Sequence, residues 1–261
     1  MMVDIATYDG KLVESILGQR SVQERAMEHS RAKRMLAKQI ARQRRLPQCI
    51  IIGVMKCGTS ALISFMNLHP DVATAPGESN YFNNYYNRTL EWYRSQMPLS
   101  RANQTTMSKT ANYFEKYEVI DRIYAMDPNV KIILVVRDPV YIYRSSYALH
   151  IEHWTRVFPL GAHLHVVDGA KLISDPISEL RKVEAFLGLR HYISGNNIVF
   201  DHERKVYCRV SRSGVKLCLD KAAKGVKHPT IDPAAEAKLR TYFKPLNQRF
   251  YQIVGHDFGW T

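Results

Sequence analysis

Acidic side chains are in short supply: 24 Asp and Glu stand against 37 Lys and Arg, a formal net charge of +13 with the histidines neutral. That surplus points to a polyanionic partner, and nucleic acid, an acidic membrane surface and a sulfated sugar all fit it. Long apolar runs are missing as well. The longest, around residues 50–55 and 131–136, fall far below the roughly 20 residues a bilayer-spanning helix needs, so no transmembrane segment is expected. Residues 1–18 carry Asp4, Asp9 and Glu14 where a signal peptide has a basic start and an apolar middle, so export is not legible at this terminus. Cysteine is scarce, with four in 261 residues, which excludes a small disulfide-dense scaffold. Cys208 and Cys218, in a polar, turn-rich stretch, either close a small loop or remain two free thiols. No metal-ligand spacing, internal repeat or low-complexity tract is present. With 46% hydrophobic and 23% charged residues, disorder and collagen-like repeats are excluded, and the length suits one substantial domain with a conventional core.

Residues 21–45 contain neither Gly nor Pro and are rich in strong helix formers, which predicts a basic helix running up to Pro47. We therefore divide the chain into a basic, helical extension over 1–46 and a globular domain over 47–261. The core starts at Cys49. There CIIIGV is a β-branched run that ends in a Gly-bearing loop, MKCGTS, and ALISFMNL follows with helical spacing. A second buried strand, KIILVV at 131–136, ends in Arg137-Asp138-Pro139, and a long helix is expected over about 140–157. A third, HLHVVDG at 163–169, leads into a helix with Pro176 in its first turn and Leu180, Val183, Phe186 and Leu187 on its apolar face. Strand-then-helix units imply an α/β fold, a central parallel sheet flanked by helices. Residues 200–228 read as irregular and basic, and a last amphipathic helix is expected over 232–254. Trp92, Tyr93, Trp154, Phe158 and Phe186 read as core, His150 and His153 as packing or surface residues.

Two loops carry chemistry. A strand-to-helix loop presents backbone N–H groups and a helix N-terminus to an anion, while Lys56 adds a full charge and Thr59 or Ser60 a hydroxyl. Gly53 and Gly58 have Walker A spacing, but Thr59 stands where an ATPase needs its lysine, so the loop is P-loop-like without being an NTPase loop. Arg137, at the carboxyl end of a second buried strand, sits where open α/β sheets bind ligands, and its planar fork suits a second phosphate. Pairing of Arg137 with Asp138 is the competing structural reading. Two anion sites on one sheet imply a doubly phosphorylated nucleotide.

The run PQCIIIGVMKCGTSALISFMNLHPDVATAPGESNYFNN, with EWYRSQMP, KTANYF, ILVVRDP, RSSYALHIEHW, HVVDGAKLISDP, VEAFLGL, YCRVSRSGVKLCL, KGVKHP and the terminal YFKPLNQRFYQIVGHDFGW, resembles the glucosaminyl 3-O-sulfotransferases of heparan sulfate synthesis. They belong to the Golgi carbohydrate sulfotransferase superfamily. The likeness covers almost everything after residue 46. It implies the sulfotransferase fold and use of 3'-phosphoadenosine 5'-phosphosulfate (PAPS) as sulfuryl donor, with no metal. Lys56, Gly58, Thr59 and Ser60 would hold the 5' side, Lys56 stabilising the bridging oxygen as the sulfuryl group leaves. Arg137 and Ser145 match the grip on the 3'-phosphate, Glu78 the general base, Lys109 a substrate-facing lysine, and Lys224 with Gly225 the start of a late cofactor loop. Cys208 and Cys218 match a disulfide pair. The implied partner is heparan sulfate or a related sulfated polysaccharide rather than nucleic acid, and the implied location is the Golgi lumen. The sequons at 87–89 and 103–105 lean toward the same lumenal, glycosylated state.

The chain departs from the family pattern in specific places. Asn80 and Asn83 stand where a histidine and an aspartate usually support the base, Ser60 replaces a loop arginine, and Val226 replaces an arginine whose charge Lys227 could supply. The RDP and RSxYxxHxxxW motifs run together, although a few dozen residues of the acceptor cleft usually separate them. Two rival readings follow: a catalytically impaired, heparan-sulfate-binding relative, and a P-loop nucleotide kinase or NTPase.

Overall fold

The computed structural model describes residues 27, 30–31, 41–142, 146–211, 213–218 and 231–260. The chain divides into two compact units, Met1–Arg42 with Arg101–Asn103, and Gln43–Ser100 with Gln104–Thr261. The second holds every element described below. In chain order it contains β1 (Gln43–Arg44), β2 (Cys49–Gly53), α1 (Thr59–Met66), β3 (Val72–Thr74), α2 (Tyr81–Asn84), α3 (Leu90–Ser95), β4 (Leu99–Ser100), β5 (Thr105–Lys109) and α4 (Tyr117–Met126). There follow β6 (Lys131–Val136), α5 (Tyr147–Val157), β7 (Leu164–Asp168), α6 (Lys171–Ser174), α7 (Pro176–Phe186), β8 (Ile198–Asp201), β9 (Val206–Val210), β10 (Lys216–Leu217) and α8 (Pro233–Val254).

The main sheet has the order β3-β5-β2-β6-β7, and every pair in it is parallel. All five residues of β2 are buried, as are five of six in β6, which is why these strands are continuous apolar runs and not alternating ones. β2 lies at the centre, with the strands that follow first on one side and the later ones on the other. An open sheet of this kind has its ligand crevice at the carboxyl ends around such a reversal of order. Helix α7 starts as the sequence predicts: Pro176 takes the first turn and the Asp175 carboxylate accepts from the Ser178 N–H at 3.3 Å. Leu180 and Val183 are buried, and Phe186 packs partly buried against the core. Tyr93, Trp154 and Phe158 are fully buried, and the Trp154 indole donates to the Phe114 carbonyl at 2.9 Å. His150 and His153 lie against Tyr117, as packing residues do.

Three expectations need correction. The basic helix cannot run to residue 45, because Gln43–Arg44 is extended and pairs antiparallel with Leu99–Ser100. The Arg44 and Arg45 guanidiniums donate to the carbonyls of Met97 and Ser100 there, so tertiary partners override helix propensity. Met27, Ser30 and Arg31 are helical; most of the predicted helix lies outside the described residues. The long helix over 140–157 is broken: Asp138 caps a single 3-10 turn, Pro139–Tyr141, Ile142 is extended, and α5 begins only at Tyr147. The stretch 200–228 is not wholly irregular, since β8, β9 and β10 form an antiparallel sheet closed by a disulfide between Cys208 and Cys218. Strands β3 and β5 carry too little apolar periodicity to be read from sequence; α4, by contrast, buries a regular apolar face of Val119, Ile120 and Ile123.

Gly169, just after β7, is where backbones approach most closely. A β-carbon there would lie 2.2 Å from the Cys57 carbonyl oxygen, 2.7 Å from Arg137 Cγ and 2.8 Å from the Val136 carbonyl oxygen. Gly169→Ala is expected to destabilise the fold by about 1–3 kcal/mol through this overlap. Equilibrium denaturation measures it, and an unshifted midpoint would show that the contact is soft.

Candidate functional site

The loop after β2 is shaped by backbone bonds rather than by side-chain caps. The Val54 N–H donates to the Val135 carbonyl at 2.9 Å and the Cys57 N–H to the Val54 carbonyl at 3.1 Å. Lys56 (φ 68°) and Gly58 (φ 114°) both take left-handed conformations, and the latter needs glycine. At Gly58 the chain turns into α1 with no side chain capping the helix, so the first-turn N–H groups are not claimed by a side chain. Thr59 is buried beneath this turn, while Lys56 and Ser60 are exposed. An anion seated here would meet oriented N–H groups, a hydroxyl and a lysine.

Arg137 stands beside that loop across Gly169, whose missing β-carbon leaves room for both the Cys57 carbonyl and the Arg137 stem. Tyr147 fixes the same junction from below. Its buried hydroxyl donates to the Arg137 carbonyl at 2.9 Å, lies 3.4 Å from the Arg137 N–H and 3.5 Å from Cys57 Sγ. Burial pushes the Tyr147 phenol well above its ordinary range and the Cys57 thiol up to about 11, so both keep their protons. No sequence pattern pointed to Tyr147, because its role depends on a packing contact. The Arg137–Asp138 ion pair, the competing reading of that motif, does not form. Among the described residues no carboxylate pairs with either Arg137 or Lys56.

The acidic side of the site is built on β3 and β5. The Ala75 N–H donates to the Met107 carbonyl at 2.8 Å, which carries the chain after β3 along the end of β5 to Glu78. Lys109, the last residue of β5, donates to Glu78 Oε1 at 2.5 Å and to Ser60 Oγ at 3.2 Å. The Ala111 N–H reaches Glu78 Oε2 at 3.3 Å. Both carboxylate oxygens are thus oriented, with the Glu78 side chain 32% exposed and that of Lys109 13%. The two asparagines do not support the carboxylate: Asn80 donates to the Glu78 main-chain carbonyl at 3.4 Å and Asn83 to Asn112 Oδ1 at 3.1 Å.

Of the residues singled out from sequence, the structure therefore gathers Gly58, Thr59, Ser60, Lys109 and Glu78 at one continuous junction, with Lys56 on the same loop and Arg137 beside it. Ser145, Lys224 and Gly225 lie outside the described residues. Cys208 and Cys218 form their disulfide at the small sheet; their sulfurs sit near Asp201 but, being bonded to each other, offer no thiolate to a metal. The residues present fit a doubly phosphorylated nucleotide: an uncapped helix start and two cations with no acidic partner among the described residues offer unclaimed donors and positive charge to an anion.

Comparison with known proteins points the same way. A family profile described as a sulfotransferase domain matches residues 46–148 and 141–253. Human heparan sulfate glucosamine 3-O-sulfotransferase 6 is 37% identical over 257 residues, covering 84% of this chain and 75% of that protein. Mouse heparan sulfate glucosamine 3-O-sulfotransferase 3B1 is 39% identical over 260 residues, covering 84% of this chain and 66% of its own length. The 257-residue match takes up only 84% of 261 residues here, so the human relative is longer across the shared stretch. The two profile matches overlap at 141–148, where the RDP and RSxY motifs run together. Among solved structures, a sulfotransferase from Alicyclobacillus acidocaldarius shares the fold at 18% identity, with a TM-score of 0.61 over 82% of this chain and 98% of that one.

Tyr147→Phe keeps the ring but leaves the Arg137 carbonyl without its buried donor. Its expected cost is about 1–3 kcal/mol in urea unfolding. Wild-type stability in this variant would remove the hydroxyl from the account.

Proposed function

We propose that this chain, which belongs to the heparan sulfate glucosamine 3-O-sulfotransferase family, transfers a sulfuryl group from PAPS to the 3-hydroxyl of a glucosamine in heparan sulfate. The observation that carries the reading is the bridge from Lys109 to both Glu78 and Ser60, which ties a carboxylate to the anion loop.

The donor supplies an activated sulfuryl group; the protein's work is to place charge around it. Transfer proceeds in line, a sulfur–oxygen bond forming to the sugar hydroxyl while the bond to the 5'-phosphate oxygen breaks. Glu78 would take the hydroxyl proton on the acceptor side. Lys56, with the first N–H groups of α1, would meet the charge that grows on the leaving phosphate. Arg137 would hold the 3'-phosphate, so that donor and base are fixed at opposite ends of the reacting line. Lys109 and the Ala111 N–H orient Glu78 without help from Asn80 or Asn83. The excess of Lys and Arg suits a sulfated polysaccharide acceptor, bound through contacts that salt weakens. The disulfide supports an oxidising compartment, and we place the protein in the Golgi lumen. The exposed sequon asparagine Asn87 is accessible to a glycan.

A second reading, a heparan-sulfate-binding relative without turnover, is favoured by Asn80 and Asn83, which leave the Glu78 carboxylate without the charged neighbours of the family pattern, and by the shortened segment after Arg137. Retention of wild-type protein on a heparin column without sulfate transfer would select that reading. Magnesium-dependent ATP hydrolysis would instead select a kinase or NTPase.

Under the transferase reading Glu78→Gln is expected to lower transfer at least about 100-fold. Its affinity for adenosine 3',5'-bisphosphate should stay within about twofold of wild type, because the base touches no phosphate. Arg137→Ala should weaken that nucleotide markedly. A radiolabelled-sulfate assay and calorimetric titration read both, and full transfer by the Glu78 variant removes the base assignment.

A further inference from the structure

Asp138 is bonded directly to Arg137 in the chain, so its carboxylate is a natural candidate to neutralise the arginine that a phosphate must meet. It is engaged elsewhere. Asp138 Oδ1 accepts from the Val140 N–H at 3.0 Å, capping the 3-10 turn, and Oδ2 accepts from Arg240 Nη1 at 3.3 Å. Arg240 comes from α8, 102 positions further along the chain. Glu236 and Tyr141 help to steer its guanidinium: Glu236 Oε1 accepts from Nε at 3.0 Å and from Nη2 at 2.7 Å, and the Tyr141 hydroxyl accepts from Nη2 at 3.3 Å. Tyr141 in turn donates to Glu236 Oε1 at 3.0 Å, and its ring lies 5.9 Å from the Arg240 guanidinium carbon. The side chains of Arg240 and Asp138 are only 30% and 22% exposed, so solvent screens this arrangement incompletely.

We propose that Arg240 is a positioning residue for the anion site: by holding the Asp138 carboxylate on α8, it keeps the charge of Arg137 available to a phosphate. The inference rests on the reading of Arg137 as a nucleotide-phosphate contact. Arg240 touches no reacting atom in this scheme. A single ion pair that solvent still partly reaches contributes little to folding stability, and its value lies in where it keeps the carboxylate. Remove the guanidinium and the Asp138 carboxylate is released to turn toward the neighbouring Arg137. The new pair would then compete with the incoming phosphate, as any nearby opposite charge does in a partly buried setting.

The test is a charge-rescue series titrated with adenosine 3',5'-bisphosphate: wild type, Arg240→Ala, Asp138→Asn and the double variant. Asparagine keeps an oxygen for the Val140 N–H but carries no charge. Arg240→Ala should bind about tenfold more weakly and raise KM for the donor while leaving KM for the polysaccharide unchanged. In the double variant affinity should return to within about twofold of wild type, because Arg137 then has no anionic competitor. A double variant as weak as Arg240→Ala would make the contact purely structural and overturn the proposal, as would undiminished binding by Arg240→Ala. Should Arg240→Ala fail to fold, Arg240→Gln carries the same expectation, since it too lacks the cation. Failure of the wild-type protein to bind the bisphosphate, or full binding by Arg137→Ala, would sink the underlying nucleotide reading together with this one, whereas loss in Arg137→Ala with no loss in Arg240→Ala sinks this one alone.

Discussion

The missing β-carbon at Gly169 is the constraint on which the site depends. Three strand ends meet there, those of β2 through the Cys57 carbonyl, β6 through Arg137, and β7 through Gly169 itself, at separations no other residue would permit. Because the approach is between backbones, the relative position of loop and arginine is set by the sheet and not by flexible side chains. Tyr147 reinforces it by bonding the Arg137 main chain from a buried ring packed against Phe250 and Trp260. The rigidity matters because an in-line transfer loses rate steeply with small misplacements of its charged groups.

The acidic half of the site obeys a different logic. Glu78 follows an edge strand and is held by polar contacts, chiefly Lys109, whose ammonium also reaches the start of α1 through Ser60. One lysine therefore ties Glu78 to the start of α1. This arrangement explains how the chain manages with asparagines at positions 80 and 83, since orientation of the carboxylate comes from β5 and the Ala111 N–H. Arg137, by contrast, is kept available because the carboxylate beside it is drawn to a distant helix. The same local motif could have been a self-neutralised pair.

Composition and apolar periodicity were enough to read the buried strands β2, β6 and β7, the capped helices α7 and α8, and the loop bearing Lys56, Gly58 and Thr59. Each of these is encoded within a few neighbouring residues: a β-branched run, a proline in a first turn, an aspartate cap. Strand β5 was not legible, for TTMSK carries a buried strand on small polar side chains that pair with their neighbours, Ser108 with Tyr93 and Thr106 with Ser100. The small sheet of β8, β9 and β10 escaped for a related reason. Its strands are short, β9 and β10 carrying one cation each and β8 ending in Asp201, and their order comes from pairing and a disulfide rather than from a strong apolar alternation.

The sequence by itself determined the chemistry available: an excess of cations, a glycine-bearing anion loop, an arginine at a strand end and a carboxylate in a turn. Which of those charges stay uncompensated was decided only by the tertiary structure. Lys109 was drawn to Glu78 and Arg240 to Asp138, while Lys56 and Arg137 were left without acidic partners among the described residues. Ion pairing depends on separations of a few ångströms between groups scores of positions apart, and local periodicity carries no record of those separations.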